Sequence, residues 1–138
     1  MSRENVEIVR AAVDAWNRGD WDATLKDGAP SFEFDFSRSV GPTQGVYGLG
    51  QMRDFWDELV EIWESVRLEP DEFIEVGEHV VMPNTLHAMG RNGIEVQASA
   101  TWVWTIRDGR VEHVCFYQER PEALEAVGLS EQDAHAGS

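Results

Sequence analysis

The chain has 138 residues, 42% of them hydrophobic, which fits one globular domain with a buried core. Its 26 acidic and 11 basic side chains give a net charge of −15. Such a surface repels phosphate, so we expect neither a nucleic-acid partner nor membrane binding. A single cysteine, Cys115, excludes an internal disulfide. The N-terminus is charged and lacks an apolar run, and no stretch is long enough to span a bilayer, so we expect a cytoplasmic protein.

The first 26 residues predict two helices. Apolar residues recur at helical spacing from Val6 to Trp16, which predicts a helix from Ser2 to about residue 18, with Gly19 at its end. Asp20 then suits the N-cap of a short second helix that ends near residue 26.

Residues 31–37 predict a strand, because apolar and polar side chains alternate there. Three phenylalanines, ending at Phe36, fall on one face, and the acidic residues up to Asp35 fall on the other. Residues 38–50 contain five glycines or prolines and predict a loop. A broad apolar stripe then predicts a long helix over residues 50–64.

The second half of the chain predicts successive antiparallel strands and a last helical turn. The predicted strands cover residues 73–76, 80–89, 96–106 and 111–118, and the helical turn covers residues 121–127. Residues 130–138 carry no apolar pattern and are predicted to be a disordered tail.

The central hairpin has one very apolar face, on which Trp102 and Trp104 lie. A two-residue turn at Asp108-Gly109 would place Trp102 opposite Cys115, whereas a three-residue loop with a bulge at Gly109 would place it beside Val114. The bulged register pairs apolar with apolar side chains, and we predict it. It places Gln118 on the buried face and the side chains of His113, Cys115 and Tyr117 on the outer face.

The preceding hairpin decides where His87 points. With Asn92-Gly93 as a two-residue turn, His87 lies opposite Ala98 on the buried side, and we predict this register. A three-residue loop would reverse the orientation. The order of the elements then predicts an α+β fold, in which a curved mixed or antiparallel sheet wraps around the helices and leaves a central pocket.

Four segments carry a resemblance to the nuclear transport factor 2-like (NTF2-like) superfamily, and within it to the SnoaL-like proteins related to polyketide cyclases and ketosteroid isomerases. They are Ala15–Asp22, Gly48–Trp56, Val103–Val111 and Tyr117–Gly128. The resemblance implies a single domain over residues 1–129, a conical, cystatin-like fold, an apolar pocket at its centre and a homodimer formed through the sheet. It does not decide activity, because the superfamily holds isomerases, cyclases, epoxide hydrolases, dehydratases and non-catalytic members.

Ketosteroid isomerases, which this chain resembles, use an aspartate base near the end of the first strand together with a tyrosine and a protonated aspartic acid. The tyrosine position falls near Ala12 and the acid position at Trp102, so both donors are absent here. One alignment places the base at Asp35, whereas the hydrophobic phase of the strand turns Phe36 inward instead. His87 is the alternative acid or base.

The remaining candidates are residues that would hold or orient a ligand. Gln118 could orient a ligand carbonyl group. The predicted lining of the pocket is apolar and mostly aromatic: Trp16, Phe36, Trp56, Trp102, Trp104, Val114 and Phe116. The four histidines show no metal-ligand spacing, so we expect neither a metal nor a cofactor. An Asp-Arg-Asp arrangement of an epoxide hydrolase cannot be assembled from the predicted inward positions.

Two hypotheses follow. In the first, the protein binds a small apolar or ring-bearing molecule, and if it is an enzyme it is a cofactor-free isomerase or cyclase that acts by proton transfer, with Asp35 or His87 as base. In the second, it is a non-catalytic homodimeric NTF2-like domain whose tryptophans fill the core. An open cavity of a few hundred cubic ångströms with an inward carboxylate or imidazole favours the first, and a filled core favours the second.

Overall fold

The computed structural model describes residues 2–38 and 45–129 of the chain. The predicted tail, residues 130–138, and residues 39–44 of the predicted loop lie outside these residues. The helices are α1 (Ser2–Asn17), α2 (Trp21–Thr24), α3 (Met52–Ile62) and α4 (Arg120–Ala126), with a 3-10 helix at Leu49–Gln51. The strands are β1 (Gly28–Asp35), β2 (Val46–Gly48), β3 (Trp63–Pro70), β4 (Ile74–Val76), β5 (His79–Gly90), β6 (Glu95–Arg107) and β7 (Arg110–Tyr117).

The strands form one sheet in the order β2-β1-β7-β6-β5-β3, and β4 pairs separately with β5. Every pair is antiparallel except β1 with β7, which run parallel. The predicted α+β fold with a curved mixed sheet is therefore confirmed. None of the helices within the described residues has the length and apolar character needed to cross a membrane.

The main core lies between α1, α3 and the concave face of the sheet. Trp16 of α1, Trp56 of α3 and Trp102 of β6 are all at most 5% exposed there. A second, smaller core lies on the other face of the sheet, where α4 packs Leu124 against Val103. This helix covers part of the face through which we predict a homodimer, and the dimer itself stays a prediction.

The side chain of Asn17 ties the end of α1 to the edge of the sheet. Its Nδ2 donates to the carbonyl oxygen of Leu68, 2.9 Å away, and its Oδ1 accepts from the Leu68 backbone N–H at 2.8 Å. Leu68 belongs to β3, which is the end strand of the sheet, so these two bonds satisfy backbone groups that would otherwise lack a strand partner. These two hydrogen bonds, which we call the Asn17 clamp, hold the end of α1, and with it Trp16, against the sheet.

The third helix is shorter than predicted. It ends at Ile62, and the chain turns to extended backbone at Trp63, where φ is −117° and ψ is 134°. Residues 63–70 then pair with β5, so the apolar residues that seemed to continue the helical stripe belong to a strand instead. The predicted loop also contains β2, which pairs with β1.

The predicted bulged register of the central hairpin is wrong, and the alternative is right about the turn but not about the partner of Trp102. Asp108 and Gly109 form a two-residue turn with positive φ values of 52° and 75°, which are typical of a type I′ turn. The register then shifts after Ile106, because Glu112 is an extra residue in β7, and Trp102 pairs with Phe116. The side chains of β7 still lie on the predicted faces of the sheet. The actual register differs from the bulged one by two residues, and side chains two residues apart in a strand point to the same face.

The predicted register of the β5–β6 hairpin is also wrong, and this reverses His87. The backbone N–H of Gly90 donates to the carbonyl oxygen of Ile94 at 2.7 Å, which encloses a three-residue loop. Gly93 completes that loop with a φ of 87°. His87 consequently pairs with Gln97 and lies on the outer face of the sheet.

Candidate ligand-binding cavity

A cavity lies at the centre of the cone, among α1, α2, α3 and the sheet. Its walls are almost entirely apolar, and Thr24 contributes the one hydroxyl group of its described lining. Its volume is about 30 Å³, far less than the ~150 Å³ of a cavity that holds benzene. The cone is thus nearly filled by its own side chains.

Five of the seven predicted ligand-binding residues line this cavity: Trp16, Trp56, Trp102, Trp104 and Val114. Phe36 and Phe116 do not line it, although both face inward. Their ring centroids lie 5.2 Å apart, and Phe36 also stacks on Phe34 at 4.6 Å and on Phe55 at 5.3 Å. These rings continue the aromatic core beside the cavity, and Phe36 also lies edge-on to Trp102 at 5.9 Å.

Trp16 is the centre of the tryptophan cluster. Its ring lies edge-on to Trp56 at 6.2 Å and to Trp102 at 5.9 Å between centroids. Trp21, on the short helix α2, stacks on Trp56 at 4.6 Å with an interplanar angle of 12°. Because Trp21 is only half-buried and α2 holds no buried residue, this stack forms a thin cover over one side of the cluster.

Three of these tryptophans carry buried indole N–H groups without a partner among the described residues. They are Trp16, Trp56 and Trp104, which are 5%, 2% and 6% exposed. All three rings line the same cavity. An N–H group buried without an acceptor loses its bond to water and gains nothing in return, at a cost of ~1–3 kcal/mol. The side chains that line this one cavity therefore carry three buried donors that lack an acceptor among the described residues.

Asp35 lies on the face of β1 opposite the cavity. Its carboxylate accepts hydrogen bonds from the backbone N–H and the hydroxyl of Ser37, and Arg38 lies 4.0 Å away. Burial acts to raise the pKa of Asp35, but the bonds from Ser37 and the charge of Arg38 outweigh it and hold the pKa below its usual value. The hydrophobic phase of the strand, which turned Phe36 inward, agrees with the structure, and the alignment that turned Asp35 inward does not.

The other two predicted catalytic residues are also remote from the cavity. His87 lies on the outer face, with its Nε2 3.0 Å from Oε1 of Glu69, and its side chain is 35% exposed. The prediction that His87 points into the pocket is therefore wrong. The side-chain amide of Gln118 donates to the carbonyl oxygen of Arg38 at 3.0 Å, so it ties the chain after β1 to the end of β7.

A second cluster of polar groups lies beside Asp35, on the outer face of β1 and β7. Arg38 lies over the ring of Tyr117, 4.9 Å from its centroid, and its Nη1 is 3.5 Å from Sγ of Cys115. Burial raises the pKa of the Cys115 thiol, and burial with the bond to Cys115 raises the pKa of Tyr117 to about 12. Both groups are therefore protonated at neutral pH, and the cluster has no activated nucleophile.

Sequence reasoning missed several wall residues. Phe34 and Leu68 line the cavity, and neither was among the predicted ligand-binding residues. The alternation of residues 31–37 contained the signal for Phe34, since it shares a face with Phe36. Leu68 could not be found because its strand was not predicted. Within the described residues no group of three or more histidine, cysteine or acidic side chains is arranged to hold a metal ion.

Comparison with known structures defines the class of the protein. An NTF2-like protein of unknown function from Burkholderia pseudomallei K96243 has a TM-score of 0.77 and 26% identity, over 93% of this chain and 99% of that chain. TerC, co-crystallized with polyporic acid, has a TM-score of 0.76 and 22% identity, over 90% and 97%. A hypothetical protein with a ketosteroid isomerase-like fold from Catenulispora acidiphila DSM 44928, in complex with trimethylamine, has a TM-score of 0.72 and 16% identity, over 89% and 93%.

The sequence defines the family more narrowly. Residues 9–114 match the model of the SnoaL-like domain, so the chain belongs to this family, and the predicted relationship is confirmed. A comparison with the sequences of curated proteins finds no match.

Proposed function

We propose that this SnoaL-like protein binds a small apolar, ring-bearing molecule in the central cavity, without acid–base chemistry by Asp35 or His87. The observation that carries the proposal is the position and lining of the cavity, which lies at the centre of the cone and is walled by four tryptophans. Apolar walls with a few polar groups are typical of small-molecule sites. The structurally similar TerC was co-crystallized with a small organic molecule, polyporic acid, which supports a small-molecule site in this fold.

The volume of the cavity requires that something moves when a ring enters. Trp21 is the best candidate, because its ring is half-buried and α2 is a single turn of four residues with no buried side chain. Segments with few buried contacts open at the lowest cost in free energy. The ring of Trp21 covers Trp56 and lies edge-on to Trp16 at 5.8 Å, so its displacement would uncover these two lining residues and open the tryptophan cluster from one side.

Isomerisation or cyclisation by proton transfer has weaker support. Such a reaction needs a carboxylate, an imidazole or a similar group within hydrogen-bond reach of the reacting atom. The described residues that line the cavity include neither a carboxylate nor an imidazole. Asp35 and His87, the two predicted bases, both lie on the outer face of the sheet.

A second function has one observation in its favour. A cavity of about 30 Å³ is close to a filled core, which is what a non-catalytic domain with structural tryptophans would have. In that case no ring-bearing molecule binds inside the cone, and the homodimer predicted through the sheet becomes the place of function.

Titration with ring molecules of increasing size separates the two functions. Benzene, indane and naphthalene would be titrated into the protein and followed by calorimetry and by indole signals in ¹H–¹⁵N spectra. We expect at least one to bind with a defined stoichiometry and to shift indole signals. If none binds, the filled-core function is correct and the binding proposal fails.

A matched pair of variants places the binding site. Ala12 lies in α1, is 7% exposed and lines the cavity, whereas its neighbour Ala11 is exposed. Ala12→Leu fills space in the cavity and should weaken binding at least tenfold, and Ala11→Leu should leave it unchanged. Equal affinities in folded Ala12→Leu and in the wild type would place the binding site elsewhere.

A further inference from the structure

We propose that the ligand of this cavity presents a hydrogen-bond acceptor to Trp16, Trp56 and Trp104 and buries no donor of its own, as a cyclic ketone or another carbonyl-bearing ring does. This inference rests on the proposed function and specifies its ligand. It follows from three tryptophans that line one cavity and whose buried indole N–H groups have no partner among the described residues.

Packing alone does not account for these three tryptophans. An indole fills more space than a phenyl ring, but a core that needed only apolar volume would gain nothing from its N–H. A buried donor without an acceptor lowers the stability of the free protein. The same donor strengthens binding when a ligand supplies the acceptor, because the ligand replaces no bond to water.

The lining offers more donors than acceptors. An indole N–H is a donor only, and the sulfur of Met52, which also lines the cavity, is a weak acceptor. The hydroxyl of Thr24 donates to the carbonyl oxygen of Asp20 at 2.9 Å and keeps its lone pairs free to accept. Three indole donors therefore stand against one hydroxyl acceptor among the described lining side chains.

A water molecule is a poorer partner for the buried indole N–H groups than a carbonyl oxygen is. Water accepts two hydrogen bonds but brings two O–H groups, which would face the apolar walls. A carbonyl oxygen also accepts two bonds and has no hydrogen to satisfy. The match between a donor-rich site and a donor-free acceptor favours ketones over both alcohols and hydrocarbons of the same shape.

Three ligands of nearly equal shape test the inference: indane, 1-indanone and 1-indanol. We expect 1-indanone to bind about tenfold more tightly than indane, and 1-indanol to bind less tightly than 1-indanone. In ¹H–¹⁵N spectra, 1-indanone but not indane should move indole N–H protons of Trp16, Trp56 or Trp104 downfield, as hydrogen bonding to a carbonyl does.

Phenylalanine variants identify the donors. The ratio of the two dissociation constants, indane over 1-indanone, is measured within each variant, so that changes in cavity shape affect both ligands alike. The ratio should fall several-fold in at least one of Trp16→Phe, Trp56→Phe and Trp104→Phe. Trp102→Phe is the control, because Trp102 lines the same cavity but its indole nitrogen is not among the buried atoms without a partner.

Each outcome decides between the inference and the function on which it rests. If neither indane nor 1-indanone binds, both fail. If both bind with equal affinity, the function stands and the inference is overturned. The inference is also overturned if the ratio is unchanged in all three variants. A variant that does not fold is replaced by one with 3-benzothienylalanine, which keeps the shape of tryptophan and has sulfur in place of the N–H.

Discussion

Loss of the Asn17 clamp should destabilise the protein by about 2 kcal/mol. Asn17→Ala removes two hydrogen bonds, with lengths of 2.8 and 2.9 Å, that join α1 to β3 across 51 residues of sequence. Each typically contributes ~1 kcal/mol net, and a buried group left without a partner costs ~1–3 kcal/mol. Leu68 is only 1% exposed, but the bonds are half-buried, so we take the lower part of that range.

Two smaller effects change this magnitude in opposite directions. Alanine has a higher helix propensity than asparagine, which stabilises the end of α1 in the variant by roughly a few tenths of a kcal/mol. Loosening of α1 also weakens the contacts of Trp16 with the cavity walls, which adds to the loss. The net expectation stays near 2 kcal/mol.

Urea unfolding, followed by circular dichroism, measures this change. Asp14→Ala is the matched control, because Asp14 is an exposed residue of the same helix, and it should change the free energy of unfolding by less than ~0.5 kcal/mol. Asn17→Asp keeps the acceptor for the Leu68 N–H but loses the donor to the Leu68 carbonyl oxygen, so its free energy of unfolding should be lower than that of the wild type. An Asn17→Ala variant as stable as Asp14→Ala would refute the clamp.

Three further predictions concern ionisable groups. The pKa of Asp35 is held below its usual value of 3.8, so its contribution to stability is present above pH ~4 and is lost as pH falls through the lower, folded value. Asp35→Asn should therefore show a smaller loss of urea midpoint between pH 6 and pH 3 than the wild type. Tyr47 and Tyr117 both have raised pKa values, to about 12 for Tyr117. Absorbance at 295 nm should show less tyrosinate at pH 10 in the folded than in the urea-unfolded protein, and equal ionisation would contradict their burial. His87→Gln should leave the affinity for indane unchanged, because His87 lies on the outer face; a tenfold loss would show that it reaches the ligand.

Much of the fold could be read from local pattern. The alternation of β6 placed Trp102 and Trp104 on the buried face, where they are 3% and 6% exposed. The phase of β1 turned Phe36 inward and Asp35 outward, against the alignment with ketosteroid isomerases. These predictions succeeded because a side chain's face depends only on the period of its own strand.

Predictions that depended on turns failed. His87 was placed in the pocket because Asn92-Gly93 reads as a two-residue turn, but the loop encloses three residues and reverses every side chain of β5 relative to β6. The helical stripe ran past Ile62 into β3 for a related reason, since apolar residues near a helix end fit either period over so few positions.

The sequence by itself therefore determined the class of fold and the apolar face of each long element, because these follow from hydrophobic periodicity along the chain. It also determined the family, through the resemblance of four segments to SnoaL-like proteins. Only the tertiary structure decided that His87 lies outside the cone and that three tryptophans whose indole N–H groups lack a partner among the described residues line one small cavity. Those facts depend on turn geometry and on contacts between α1, α3 and β6, which are distant in sequence. No local pattern states whether a buried donor finds an acceptor, since the acceptor can come from anywhere in the chain or from a ligand.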